Sequence, residues 1–198
     1  MLSFQSLPAA PIDTKQPIGA SFVALGAGDF RAAARYLLEL PYGRTRDRSD
    51  YLGVLSEGRG TCSTKHALLA ALANENQLAV ALTLGIYPMH EGNTPGVGQV
   101  LNEAALPYIP EAHCYLVYQS QRIDITRSGS EASEPIDRFL HEEVIAPPQI
   151  GDYKVEVHQR WIRQWMQTAE GGAGERNFED VWLARWRLRA VSRGVAKG

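Results

Sequence analysis

The chain has 198 residues, 44% of them hydrophobic and 21% charged, which describes about one ordinary globular domain and excludes a disordered polymer. Twenty basic and 22 acidic residues leave a net charge of −2, so no overall field draws the chain to nucleic acid or to an anionic membrane. Two cysteines, Cys62 and Cys114, are too few for a disulfide scaffold or a Cys-rich zinc site.

The opening MLSFQSLPAAPIDT has no basic stretch and is broken by Pro8 and Pro11, so no leader is expected there. No apolar run reaches the ~18–20 residues that span a bilayer. The expected location is the cytoplasm, with both thiols reduced. Residues 1–20, with three prolines and little periodicity, read as an extended arm. A helix is predicted from the Asp29 cap through FRAAARYLLEL to Pro41. The polar stretch 41–51 and YLGVLSEGRG then lead to Gly58 and Gly60.

TCSTKHALLAALANENQ (61–77), rich in Ala and Leu, is the clearest helix of the chain. LAVALTLGIY (78–87) follows as a strand, and 88–111 is a long connection with four prolines, read as a lid beside a cleft. AHCYLVYQSQRIDIT (112–126) has the pattern of a β-hairpin. Residues 127–150 read as a loop-rich acidic crossing, with Glu131, Glu134, Asp137, Glu142 and Glu143 set against Arg138. Two C-terminal helices are separated by GGAG (171–174), the first pairing Trp161 with Trp165 and the second Trp182 with Trp186. On the second, the tryptophans are expected to pack and the arginines to be solvated.

Cys62 falls in the first turn of the strongest helix, where unsatisfied N–H groups and the helix dipole stabilise a thiolate and an oxyanion. His113, opening the strand HCYLVY, is a candidate base. Asp124, on the return strand, is a candidate to hold its tautomer. The hairpin register decides this last role. A turn centred on Tyr118-Gln119 puts Asp124 opposite His113, one on Gln119-Ser120 puts it diagonal, and one on Ser120-Gln121 puts it out of reach.

GRGTCSTKHALLAALANENQLAVALTLGIY followed by AHCYLVYQSQRIDIT resembles the core of the transglutaminase-like superfamily, which includes transglutaminases, peptide N-glycanases, arylamine N-acetyltransferases and many bacterial proteases. Gly60-Thr61-Cys62 matches its Gly-x-Cys helix start, His113-Cys114-Tyr115 its histidine strand, and Ile123-Asp124-Ile125-Thr126 its aspartate strand. Tyr115 stands where the family often has Trp, and Ile125 where it usually has Pro.

The resemblance implies an α+β fold with a transglutaminase/papain-like core, the Cys helix packed on a small antiparallel sheet, plus flanking N- and C-terminal helices. It also implies Cys62 as nucleophile, His113 as base and Asp124 as its orienter. The expected organisation is a single domain over 1–198, with a core at about 28–127 and a helical extension at about 152–198. The expected function is cysteine-dependent acyl transfer without metal or cofactor. Hydrolysis of a peptide or isopeptide bond through a thioester comes first, and transfer to an amine second. The partner is then a peptide or small amide or amine substrate, not nucleic acid or membrane. The rival is a catalytically inactive transglutaminase-like binding module.

The same residues permit other arrangements. His66 lies one helical turn after Cys62, which permits a Cys62/His66/His113/Cys114 zinc site. Adjacent strand residues point to opposite faces, which opposes that site and assigns Cys114 to packing. Lys65 and His66 read as solvated, and so does the turn carrying Tyr42 and Arg44.

Overall fold

A computed structural model describes residues 4–127, 136, 138–172 and 174–194, with side chains as far as Leu188. In chain order the helices are α1 (Pro17–Ala24), α2 (Phe30–Glu39), α3 (Gly53–Glu57), α4 (Cys62–Glu75), α5 (Gly98–Glu103), α6 (Asp152–Trp165) and α7 (Phe178–Gly194). The strands are β1 (Ala81–Met89), β2 (Ile109–Tyr118), β3 (Gln121–Ile123) and β4 (His141–Val144). They form one antiparallel sheet in the order β3-β2-β1-β4, so the class is α+β. No helix among the described residues is long and apolar enough to cross a membrane.

Contacts divide the chain into two compact units. The first is Met1–Gly85, His113–Gly129 and Glu142–Lys154. Its centre is α4, in which every residue from Cys62 to Ala73 is buried. Thr61 caps this helix and exchanges hydrogen bonds with Thr64, which answers two amide donors of the first turn. Helices α1, α2 and α3 and a 3₁₀ turn at Pro147–Ile150 pack around it. Gly60 has to be glycine, because a Cβ there would lie 2.8 Å from Cγ of Lys65 and 3.1 Å from Val54.

The N-terminal arm is more structured than its prolines suggest. Pro17 opens α1, whose Ile18 and Gly19 amides are capped by the Glu75 carboxylate at 3.1 and 2.9 Å. That cap lies more than fifty positions away in the chain, so no local pattern announces it. The acidic crossing likewise contains strand β4, in which Glu142 receives Arg122 and Tyr115. Glu131, Glu134 and Asp137 lie outside the described residues.

The second unit is Ile86–Ala112, Ser130–His141 and Val155–Gly198. Tyr87, Val97, Leu101, Ile109, Trp165 and Leu188 belong to its core. The long connection read as a lid is folded into this unit: Glu91 accepts the amides of Gly96 and Gly98, and Val97, Val100 and Leu101 are buried. Arg185 departs from the expected solvated arginines. It is buried and forms a two-pronged pair with the buried Glu111 carboxylate at 2.8 and 2.9 Å. Trp182 and Trp186 lie near its guanidinium, each ring centroid about 5 Å away.

The hairpin register is fixed by the pairs Leu116–Ile123, Val117–Arg122 and Tyr118–Gln121. Gln119 and Ser120 are therefore the central turn residues, with φ of 48° and 62°. Both lie in the left-handed region, as a two-residue hairpin of this hand requires.

Two stability measurements follow. Ser120→Gly relieves a left-handed backbone and is expected to raise the urea midpoint, with a gain of about 1 kcal/mol. Arg185→Met strands the Glu111 charge and is expected to cost about 3–5 kcal/mol, much of which returns in the Glu111→Met/Arg185→Met double variant.

Candidate active site

Cys62 is the first residue of α4, and Thr61, its cap, turns the chain so that the sulfur stands at the positive end of the helix. His113 lies on β2 and Asp124 one residue past β3. The observed register sets Asp124 diagonal to His113, one of the two arrangements that allow them to meet. They do: His113 Nε2 is 2.7 Å from Asp124 Oδ2. The Cys62 sulfur lies close enough to His113 to act on the charge of its ring. With Nε2 turned to the carboxylate, Nδ1 is the ring nitrogen left for the sulfur. All three residues singled out in the sequence therefore meet in the first unit.

Asp124 is held from several sides. Its Oδ1 accepts the Thr126 amide at 2.8 Å and the Thr126 hydroxyl. Burial pushes its pKa up, but the charge and hydrogen bond of His113, with the Thr126 hydroxyl, hold it well below the usual carboxylate range. For His113, burial favours the neutral ring. Asp124 and Cys62 overcome this and raise its pKa well above the ordinary histidine value. A protonated His113 held against an ionised Asp124 is the charge state these contacts favour.

His66 and Lys65 are fully buried, contrary to the solvated reading of both. His66 accepts the Ile125 amide on Nε2 at 2.8 Å, so Nδ1 carries the proton and donates to the Cys62 carbonyl at 2.6 Å. Burial lowers its pKa, so its 3.4 Å approach to Asp124 Oδ1 is a contact of a neutral ring rather than an ion pair. Lys65 Nζ donates to the Leu40 carbonyl at 2.6 Å and the Thr126 carbonyl at 3.0 Å. Burial takes its pKa down to about 8 against the attraction of Asp124.

Tyr115 stacks on the imidazole, with ring planes 19° apart and centroids 6.2 Å apart. Its hydroxyl donates to Glu142, whose carboxylate is also gripped by Arg122 at 2.8 and 2.6 Å. Tyr42 pairs with Gly60 in a parallel bridge, and the Arg127 guanidinium lies 4.4 Å from its ring centroid.

Cys114 is buried and unbridged, as is Cys62. It lies within electrostatic reach of Cys62 and Lys154 and close to Ser63, a position nearer the site than simple packing implied. Among the described residues, no group of three or more His, Cys, Asp or Glu side chains is arranged to hold a metal ion.

The sequence put His66 on the Cys62 face of the helix but left it and Lys65 solvated, and it did not point to the Tyr115–Glu142–Arg122 group. His66 and Lys65 did carry a signal, since positions three and four after Cys62 share its helix face. Glu142 carried none, because its partners come from another hairpin. Compared with known protein families, with curated proteins and with solved structures, the chain matches none.

Asp124→Asn tests the electrostatics. A carboxylate depressed in the folded state contributes stability above its unfolded value of about 3.9, and that stability is lost as pH falls. The variant is expected to lose about 2 kcal/mol at pH 7 and to show a flatter decline than the native protein when urea midpoints are followed below pH 4.

Proposed function

We propose that the chain is a cysteine-dependent acyl-transfer enzyme built on a transglutaminase-like core. The observation that carries this reading is His113, bonded to Asp124 at 2.7 Å through Nε2, with the Cys62 sulfur close enough to act on its charge. This is the order of contacts that makes a thiol a nucleophile: a base on the sulfur and a carboxylate fixing the base.

In the proposed reaction the Cys62 proton passes to His113, and the thiolate attacks the carbonyl carbon of an amide or ester. The amides at the start of α4 stabilise the oxyanion of the tetrahedral intermediate. That intermediate collapses to a Cys62 thioester as His113 returns its proton to the leaving amine or alcohol. Water then attacks the thioester, with His113 as base, and releases the acid. An amine in place of water gives transfer. Peptide or isopeptide hydrolysis is the first assignment and amine transfer the second. Neither route calls on a metal or cofactor, and the proposed setting is the cytoplasm, where the thiol stays reduced.

One observation favours a second reading, a binding module that uses the same fold without chemistry. Cys62 is only 1% exposed, so a substrate reaches the sulfur only if neighbouring side chains yield a path.

The test is acylation by an activated ester such as p-nitrophenyl acetate, followed by intact mass. Acyl transfer predicts a hydroxylamine-labile adduct on Cys62, absent in Cys62→Ala and formed about 10²–10⁴-fold more slowly in His113→Ala. An adduct that forms no faster than on an ordinary thiol, and is indifferent to His113→Ala, selects the binding module.

A further inference from the structure

The sulfur of Cys62 has a second polar neighbour, on α4 itself. Ser63 Oγ lies 3.9 Å from Cys62 Sγ and accepts a hydrogen bond from Lys154 Nζ at 2.6 Å. Lys154 comes from the first turn of α6, far along the chain from the cysteine, while Ser63 is itself buried. An ammonium group has donors and no acceptor, so Ser63 must use a lone pair towards Lys154. Its single hydroxyl proton is then left for a sulfur. The sulfur within hydrogen-bond range of Ser63 is that of Cys62, at 3.9 Å, with Cys114 also nearby. Burial pushes the Cys114 thiol upward, so it stays protonated and neutral. In the acyl-transfer reading the anionic sulfur is that of Cys62, and it is the stronger attractor of the proton.

We propose that Lys154 is a positioning residue for the nucleophile, polarising the Ser63 hydroxyl so that it donates to the Cys62 thiolate from a direction other than that of His113. The inference rests on the acyl-transfer reading and adds a second cation to it. The groups facing Cys62 are then His113 and Cys114 from β2, Ser63 from its own helix, Lys154 from α6 behind Ser63, and Asp124 behind His113. His66 meets the Cys62 backbone rather than its sulfur.

A relay of this kind has consequences that packing alone lacks. Removing the ammonium while keeping the stem weakens the hydroxyl as a donor and makes the thiolate harder to form. Lys154→Arg keeps a donor and a charge. Ser63→Ala removes the link, so with Ser63 absent Lys154→Met should change little more.

The experiment measures iodoacetamide alkylation of the Cys62-containing peptide by mass spectrometry from pH 4 to 10, on full-length protein checked for native circular dichroism. The expected result is a midpoint raised by about one pH unit in Lys154→Met and in Ser63→Ala, as the loss of a hydrogen bond to a charged group implies. Lys154→Arg should stay close to native, and the double variant should shift no further than either single one. Midpoints in Lys154→Met and Ser63→Ala that superpose on the native profile overturn the relay, as does a loss of reactivity equal at every pH. If Lys154→Met does not fold, Ser63→Ala alone decides. His113→Ala is run beside them. If it raises the midpoint and the Lys154 and Ser63 variants do not, the relay fails and the acyl-transfer reading stands. If no variant moves a midpoint that is already that of an ordinary thiol, both fail.

Discussion

Five consecutive residues at the start of α4, Cys62 to His66, are removed from water although each carries a polar side-chain group. A buried polar group costs free energy unless the protein supplies its hydrogen bond, and a buried charge costs more. The surrounding chain is arranged to meet this demand. Thr64 is answered by the cap Thr61, Ser63 by Lys154, Lys65 by the carbonyls of Leu40 and Thr126, and His66 by Cys62 and Ile125. These bonds fix where the segment after α2, the segment after β3 and the start of α6 must lie against the helix. Satisfying the first turn and assembling the candidate site are one requirement.

The same arrangement orders charge. From Lys65 through Asp124 to His113, cationic and anionic groups alternate, and Ser63 stands between Cys62 and Lys154. Each charge is stabilised by neighbours of opposite sign, which water would otherwise have done. Asp124 occupies the centre of this series. Its Oδ2 faces His113 while its Oδ1 is committed to Thr126 two residues on, so it holds the imidazole without freedom to turn away. Tyr115 adds a flat wall against the ring, and its own hydroxyl is anchored by Glu142. The imidazole is thus constrained at its edge and at its face, the support that proton transfer in the proposed reaction needs.

The second unit solves a related problem at Glu111. A carboxylate with almost no exposure is met by both prongs of Arg185, while His158 donates to the neighbouring Pro110 carbonyl at 2.7 Å. Tryptophan faces beside the guanidinium replace part of the hydration it gives up. This pair fixes α7 on its strand with directional bonds that an apolar contact would not provide.

Local signals determined much of this protein. The Asp29 and Thr61 caps, the unbroken Ala/Leu run of α4 and the β-rich hairpin place their elements from neighbours within four residues. They also present Cys62 at a helix start and His113 and Asp124 on paired strands. The hairpin turn was the point at which sequence left three outcomes. Gln119 and Ser120 carry no glycine or asparagine to select one, so strand pairing decided the register and placed the two residues within reach. Helix α1 and strand β4 were missed because Glu75, Arg122 and Tyr115, which complete them, come from elsewhere in the chain. Burial of Lys65, His66 and Arg185 was missed for the same reason. A charged or polar side chain is tolerated inside only when partners converge on it in three dimensions, and that convergence depends on packing rather than on local periodicity.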